Sequence, residues 1–157
     1  MLPPLDAHET AIEQGEPVVT LTVEAPALLV DANDLLRVCR FVQQAPEMQM
    51  DHVSNLTAID YPTEQRIDTV YHLYSMAKKH GPITLKVRLP RANPHVPSLV
   101  PVYRGAEFQE REAFDLYGVI FDGHPDLRRI LLWEGFDGHP MRKDYVVEDQ
   151  NVLDENR

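Results

Sequence analysis

Two identical Phe-Asp-Gly-His-Pro pentads, at residues 121–125 and 136–140, hold the residues of this chain that are best suited to chemistry. Each pentad carries a histidine, His124 or His139, and the carboxylates nearby are Asp122, Asp126, Asp137 and Asp144. Histidine and aspartate can hold a metal ion or transfer a proton when a rigid pocket keeps them close together. The chain has no HExxH motif, no G-x-S-x-G motif and no phosphate-cradling glycine loop. We therefore expect no catalytic residue and no metal ligand here, and an independent soluble enzyme with a His/Asp site is the less favoured alternative.

Each pentad is followed by a pair of basic residues, Arg128-Arg129 and Arg142-Lys143. Asp-Gly favours a turn, and the proline after Gly-His keeps the histidine extended. The pattern therefore predicts a turn, an extended piece and a cationic pair, twice over. Because an arginine side chain binds a carboxylate through two parallel hydrogen bonds, we expect these pairs to bind acidic groups of another protein.

Residues 119–157 have neither a helical nor a strand period, yet they are rich in apolar side chains. These are Phe121, Leu127, Ile130, Leu131, Leu132, Trp133 and Phe136. An unattached tail is normally poor in such residues, because it has no surface on which to bury them. We therefore expect residues 119–157 to form an extended arm along the surface of another protein, with Trp133 as an anchor.

Charge and cysteine content limit the choice of partner and cofactor. The 157 residues carry a net charge of −10, which argues against binding to nucleic acid or to an anionic membrane surface. The single cysteine, Cys39, excludes an internal disulfide and a four-Cys metal or iron–sulfur site built by this chain alone. The sequence has no apolar run long enough to span a membrane and no secretory signal, so we expect a cytoplasmic compartment.

The first part of the chain has the patterns of an α+β domain. Apolar alternation predicts strands over 19–25, 50–60, 66–76 and 83–89, and the third is central because it is apolar on both faces. The last of these strands shows one face to water, which fits an antiparallel sheet. Residues 1–89 are therefore predicted to form a two-layer domain, with helices packed on a mostly antiparallel sheet of three to four strands.

One clear helix lies within this domain. Its apolar stripe is Leu35, Val38, Cys39 and Val42, and Asp31 or Asn33 caps it before Pro46 stops it. Cys39 is accordingly expected to be a small core residue rather than a reactive thiol. A further short helix is expected at Ala7–Gln14.

Residues 90–118 are predicted to be a stiff, proline-rich connection followed by a charged helix. The helix carries apolar residues on one face from Ala106 to Tyr117, and Gly118 ends it. On another face Glu107, Arg111 and Asp115 stand four residues apart, which predicts a solvated ladder of ion pairs. The predicted division of the chain is thus 1–89, 90–118 and 119–157.

The last third of the chain resembles the signature of the thirty-kilodalton subunit of respiratory complex I, which in bacteria is the C subunit of the proton-translocating NADH–quinone oxidoreductase. The matching residues are Val96-Pro97-Ser98-Leu99, Glu110-Arg111-Glu112 with Asp115 and Gly118, Gly123-His124-Pro125-Asp126-Leu127-Arg128-Arg129-Ile130-Leu131, and Gly138-His139-Pro140 through Arg142-Lys143-Asp144-Tyr145. The departures are Tyr103, Phe108 and Phe136, where many members have Trp, and Met141 in place of Leu. All four exchange one apolar residue for another.

The resemblance implies an α/β domain followed by an arm that wraps the quinone-site subunit, which is similar to a hydrogenase large subunit. The cluster-bearing B and I subunits of the peripheral arm are further implied partners. Such a chain binds no cofactor itself, while FMN, iron–sulfur clusters, NADH and quinone belong to its neighbours. It lies on the cytoplasmic side of the bacterial inner membrane as a peripheral part of the complex, with no membrane span. A plastoquinone-reducing relative and a membrane-bound hydrogenase share the signature and stay open as alternatives.

The resemblance also implies which residues dock the partners. These are Glu110, Arg111, Glu112, Asp115, Gly123, His124, Pro125, Leu127, Arg128, Arg129, Ile130, Trp133, Gly138, His139, Pro140, Arg142, Lys143 and Asp144.

Overall fold

A computed structural model describes residues 22–24 and 27–146, with side chains from residue 27 onward. The helix predicted at Ala7–Gln14 and most of the strand predicted over 19–25 lie outside the described residues. The remainder of that strand is β1, Thr22–Glu24.

A five-stranded sheet forms the body of the chain. Its other strands are β2 (Ala27–Leu29), β3 (His52–Tyr61), β4 (Arg66–Ser75) and β5 (His80–Pro90). They lie in the order β1-β2-β5-β4-β3, and every neighbouring pair is antiparallel except β2 and β5. The predicted fold class is confirmed, since the chain is a mixed α+β domain with a mainly antiparallel sheet. The short strand β2 and its parallel pairing were not predicted.

The strand alternation decides which face of the sheet is buried. On β4, Ile67, Tyr71 and Leu73 are fully buried on one face, and Leu85 and Val87 of β5 join them. Because successive side chains point to opposite faces, these alternate residues form one apolar surface. The prediction that residues 66–76 are a central strand is confirmed, because β4 lies between β3 and β5.

The helix α1, Leu35–Gln44, packs its predicted stripe into the core. Leu35, Val38, Cys39 and Val42 are all buried. A turn of 3-10 helix at Ala32–Asp34 precedes it, where the side chain of Asp31 accepts a hydrogen bond of 2.9 Å from the backbone N–H of Asn33. The predicted spacing and the end before Pro46 are therefore confirmed, whereas Asp31 caps the 3-10 turn and the N-cap of α1 itself is Asp34, which makes no capping hydrogen bond through its side chain.

The second helix, α2 (Ala106–Tyr117), ends as predicted at Gly118, whose backbone is left-handed with φ of 74°. The strand β6 (His95–Pro97) lies in the connection before α2 and pairs in parallel with β7 (Ile120–Asp122), which follows the helix. Val96, Leu99, Val119 and Phe121 enter the same core as the large sheet. The division at 89 and 118 stays a prediction, but the core does not end at Leu89.

Candidate partner-docking site

The charged face of α2 is covered, and the solvated ion-pair ladder predicted there is wrong. Asp115 is fully buried and only 6% of Arg111 is exposed. Neither side chain bonds along the helix, because both bind the chain segment that follows β7. Helical spacing correctly places these residues on one face, but it carries no information about what lies over that face. Val119 and β7 belong to the core, so of the arm predicted at 119–157 we keep the name arm for residues 123–146.

The carboxylate of Asp115 binds the arm through four hydrogen bonds. Its Oδ2 accepts hydrogen bonds from three successive N–H groups, those of Ile130 at 3.0 Å, Leu131 at 2.8 Å and Leu132 at 2.9 Å. Its Oδ1 accepts a bond of 2.6 Å from Arg129. Burial raises the pKa of Asp115, but these donors outweigh burial and hold that pKa below its usual value. The carboxylate is therefore ionised at neutral pH and fixes the course of the arm.

Two arginines complete this anchor from opposite sides. Arg111 on α2 donates to the carbonyl oxygens of Arg128 and Arg129, each at 3.2 Å. Arg129 on the arm donates onward to the carbonyl oxygens of Phe136 and Gly138, at 2.9 and 3.1 Å. The segment between the pentads is thus held to the helix by charge-assisted hydrogen bonds, which are about twice as strong as neutral ones.

The two pentad histidines also hold the arm to α2, each through a hydrogen bond to a backbone carbonyl of the helix. The Nε2 of His124 lies 3.0 Å from the carbonyl oxygen of Glu107, and the Nδ1 of His139 lies 3.0 Å from that of Asp115. A carbonyl oxygen only accepts, so each of these ring nitrogens carries a proton. The His139 ring packs on Gly118, where an added Cβ would come within 2.5 Å of Nε2. Burial lowers the pKa of His139, which keeps the ring neutral.

The end of the arm is bound to the sheet. Arg91 pairs with Asp60 through two hydrogen bonds, of 2.7 and 3.0 Å, and reaches Asp144 on the arm at 2.5 Å. Asp60 also accepts a bond of 2.8 Å from the backbone N–H of Lys143. The hydrogen bond from Arg91 is the main reason that the pKa of Asp60 is lowered. The Nε of Arg142 donates to the carbonyl oxygen of Tyr117 at 2.7 Å.

Apolar side chains of the arm and of α2 face solvent. Trp133 is 68% exposed, Phe108 61%, Leu131 60% and Met141 52%. Trp133 meets Phe136 edge to face, with ring centroids 4.8 Å apart. We call Phe108, Ile130, Leu131, Trp133 and Met141 the docking face. The polar backbone of the arm is bound inward, so these side chains project outward.

The eighteen predicted docking residues fall into distinct groups. Glu110, Arg111 and Asp115 are buried on α2, while His124, Arg129, His139, Arg142 and Asp144 bind other parts of this chain. Glu112, Gly123, Pro125, Arg128, Ile130, Trp133 and Lys143 are exposed, whereas Leu127, Gly138 and Pro140 are partly buried. Whether these residues contact a partner stays a prediction. Arg129 is predicted to bind a carboxylate of another protein, but in the structure it binds the carboxylate of Asp115 in this chain.

Two anchor residues, Asp60 and Arg91, were missed. A signal for Asp60 exists, because it follows Leu56 and Ala58 at every second position and so stands on the buried face of β3. A carboxylate at such a position needs a bonding group inside the fold. Arg91 carries no comparable signal.

The arrangement offers no converging metal ligands. Within residues 22–24 and 27–146, no three His, Cys, Asp or Glu side chains meet where they could hold a metal ion. The same residues include no helix with the length and apolar character needed to cross a bilayer.

Comparison with known proteins identifies the family. The family model described as the 30 kDa subunit of the respiratory-chain NADH dehydrogenase matches residues 28–151. The chain belongs to this family. The second of the NADH-quinone oxidoreductase C subunits of Rhizobium meliloti (strain 1021) is 46% identical over 122 residues, which cover 77% of this chain and 66% of the relative. The C subunit of Moorella thermoacetica is 45% identical over 128 residues, covering 82% of this chain and 84% of the relative.

Other members of this family are longer than the matched region. The C subunit of Saccharopolyspora erythraea is 42% identical over 137 residues, which cover 85% of this chain but 55% of the relative. The chain therefore spans about half the length of the Saccharopolyspora relative and about two thirds of the length of the Rhizobium relative.

Two solved structures share the fold. One is Nqo5, as the trypsin-resistant fragment 1–134, with a TM-score of 0.54 and 26% identity over 69% of this chain and 89% of that chain. The other is from a membrane-bound sulfane sulfur reductase, an archaeal respiratory membrane complex, with a TM-score of 0.64 over 87% of this chain and 81% of that chain. Because the second structure is only 24% identical in sequence, the similarity shows a shared fold and nothing more.

Proposed function

We propose that this chain is a structural subunit of the hydrophilic arm of a proton-translocating NADH:quinone oxidoreductase and has no active site of its own. Family membership and the names of the relatives support the type of complex. One observation carries the structural role. The backbone of the arm is bound to α2, while Trp133, Leu131 and Met141 of the same segment have exposed side chains.

The docking face has the composition of a protein interface. Exposed aromatic and aliphatic side chains are typical of interaction sites, and Trp residues contribute disproportionately to binding energy. Trp133 and Leu131, both more than half exposed, therefore serve as anchors for pockets on a partner. Arg128, which precedes this segment and pairs with Asp126, has a side chain that is 64% exposed and adds a cation to the surface of the arm.

The anchoring of the arm makes docking more favourable. A disordered segment loses conformational entropy when it binds, which reduces its affinity. Here Asp115, Arg111 and the two pentad histidines fix the segment on its own helix, so less ordering is left for the binding step.

The main partner that we propose is the quinone-site subunit, which is similar to a hydrogenase large subunit, and the cluster-bearing B and I subunits are further partners. FMN, iron–sulfur clusters, NADH and quinone reside in these and other neighbours. In this proposal the chain lies on the cytoplasmic side of the bacterial inner membrane, as a peripheral part of the membrane complex. Family membership supports these proposals. They concern the whole complex, and some members of the family are longer than the region that matches this chain.

The experiment is Trp133→Ala in the full chain, co-expressed with the other subunits of the complex. The matched control is Met76→Ala, since Met76 is a similarly exposed apolar residue, at 60%, in the turn after β4. We expect Trp133→Ala to weaken retention of the quinone-site subunit by about thirtyfold or more, because loss of a hot-spot residue costs about 2 kcal/mol or more. The melting temperature of the isolated chain should not change, because the side chain is exposed in it.

Two outcomes would count against the docking proposal. One is wild-type assembly of Trp133→Ala. The other is an equal loss in Met76→Ala, which would indicate a general effect of apolar surface residues.

A further inference from the structure

Glu110 on α2 is a buried carboxyl group that neither the anchoring of the arm nor the docking face uses. It is fully buried, at 0% exposure. Its Oε2 accepts a hydrogen bond of 2.6 Å from the hydroxyl of Ser98, and its Oε1 accepts one of 2.6 Å from the backbone N–H of Leu99. Among the described residues no Lys, Arg or His lies within ion-pair distance of it. Glu110 therefore joins α2 to the connection that precedes it.

The surroundings of Glu110 contribute no positive charge. Ser98 and Leu99 face it from the connection, and Tyr71 of β4 is close enough to feel its charge. Cys39 of α1 is close enough to Tyr71 to influence it, and burial raises the pKa of the Cys39 thiol to about 12. Burial likewise raises the pKa of the Tyr71 phenol, so both side chains are neutral across the physiological range. The adjacent Arg111 is committed to carbonyl oxygens of the arm.

A carboxylate buried without a cation is costly, so the neutral acid is favoured inside the fold. Burial raises the pKa of Glu110 to about 7, although the bonds from Ser98 and Leu99 act in the opposite direction. In the neutral form the acid proton can lie between Oε2 and the Ser98 hydroxyl, while Oε1 still accepts from Leu99. Both contacts are therefore compatible with the protonated group.

We propose that Glu110 is a proton-dependent latch, which holds the connection against α2 while it is protonated and loosens that contact when it ionises. Opening of the contact admits water to the carboxylate. Because the open form ionises more readily than the closed form, rising pH shifts the balance towards opening.

The latch acts on the root of the arm. The backbone N–H of Ser98 donates to the carbonyl oxygen of Asp122 at 2.9 Å, and β6 pairs with β7 immediately before it. Asp122 belongs to the first pentad, whose His124 binds the first turn of α2. A looser Ser98–Leu99 segment therefore loosens the strand pair from which the arm departs.

The test is the hydrogen-exchange protection factor of the Leu99 amide in the full chain between pH 5 and pH 8. Because a protection factor is a ratio to the unstructured rate, it removes the intrinsic pH dependence of exchange. We expect it to fall by roughly tenfold per pH unit from pH 5 towards pH 7 and then level off, as linkage to one carboxyl group requires.

Glu110→Gln mimics the protonated acid, because its Oε1 can accept from Leu99 and its amide can donate to Ser98. Its Leu99 protection factor should stay constant across this pH range. Glu112→Gln is the matched control, since Glu112 is exposed on the same helix and should retain the wild-type dependence.

Direct titration of the Glu110 carboxyl carbon by NMR in the wild-type chain decides the matter even if Glu110→Gln does not fold. A midpoint near pH 7, at the pH where the Leu99 protection factor stops falling, supports the latch. A midpoint in the ordinary range of a glutamate would overturn it. So would a wild-type protection factor that does not change with pH, or an equal slope in Glu110→Gln.

Discussion

The replacement Asp115→Asn is the most direct test of how the arm is anchored. The new side chain has the same shape but a single oxygen acceptor and no charge. If that oxygen serves the amides of residues 130–132, the new NH2 group faces Arg129, and the reverse orientation leaves the amides unpaired. Either way, the buried guanidinium of Arg129, whose side chain is only 19% exposed, loses its carboxylate.

The magnitude follows from these contacts. Hydrogen bonds to a charged group contribute about 1.5–3 kcal/mol each, so the four bonds at Asp115 would sum to about 6–12 kcal/mol if they were independent. They are not independent, because the arm can detach and expose all of them to water at once. The loss expected on breaking a buried charge pair is about 3–5 kcal/mol. At about 1.4 kcal/mol per factor of ten, this increases local opening of the arm by roughly one hundredfold to several thousandfold.

Hydrogen exchange of the amides of Ile130, Leu131 and Leu132 measures this opening. Asp126→Asn is the matched control, because Asp126 pairs with Arg128 on the surface and such pairs contribute little. The pKa of Asp115 in the folded chain lies below the ordinary pKa of an aspartate. The ionised carboxylate therefore stabilises the folded arm at every pH above that ordinary pKa, and this stabilisation is lost only as the pH falls through the lower, folded-state pKa. Exchange within about threefold of wild type in Asp115→Asn, or an equal acceleration in Asp126→Asn, would refute this account.

Three further predictions concern single residues. Cys39 should not react with a thiol reagent at pH 8 until the chain unfolds, because its thiol is buried with a pKa of about 12, and rapid labelling of the native chain would contradict this. The single tryptophan, Trp133, should be readily quenched by acrylamide in the isolated chain and protected in the assembled complex, whereas equal quenching in both would remove it from the interface. Gly118→Ala should destabilise the chain by about 1 kcal/mol or more in urea, because it strains a left-handed cap and pushes against the His139 ring, and unchanged stability would show that the ring moves freely.

Much of the α+β body could be predicted because its long elements carry periodic signals. The stripe from Leu35 to Val42 fixed α1, and the alternation over residues 83–89 fixed the buried face of β5. Elements of three residues, such as β2, β6 and β7, are too short for any period to be recognised. Their pairing depends on tertiary contacts that the local sequence does not record.

The anchoring of the arm could not be predicted for a different reason. Most of its bonds join a side chain to a backbone group, as Arg111 does with the carbonyl of Arg128 and Asp115 with the N–H of Leu131. Every residue has such backbone groups, so the sequence does not indicate which of them a given side chain will bind. The i+4 spacing on α2 consequently predicts that Arg111 and Asp115 face solvent, although both are buried.

The repeated pentad has a geometric meaning that its sequence alone does not reveal. Glu107 and Asp115 are eight residues apart on α2, so the carbonyls bound by His124 and His139 are about 12 Å apart along the helix axis. The fifteen residue steps between these histidines could extend over about 50 Å. The chain contacts the first turn of α2 at the first pentad and its last turns at the second, so the segment between them is longer than this span requires. Asp115 holds the middle of that segment to the helix through the amides of residues 130–132. Ile130, Leu131 and Trp133 lie in this segment with exposed side chains. Most of the docking face therefore lies on a loop that is held at both ends as well as at Asp115, and loss of either pentad histidine should weaken docking more than it weakens the fold.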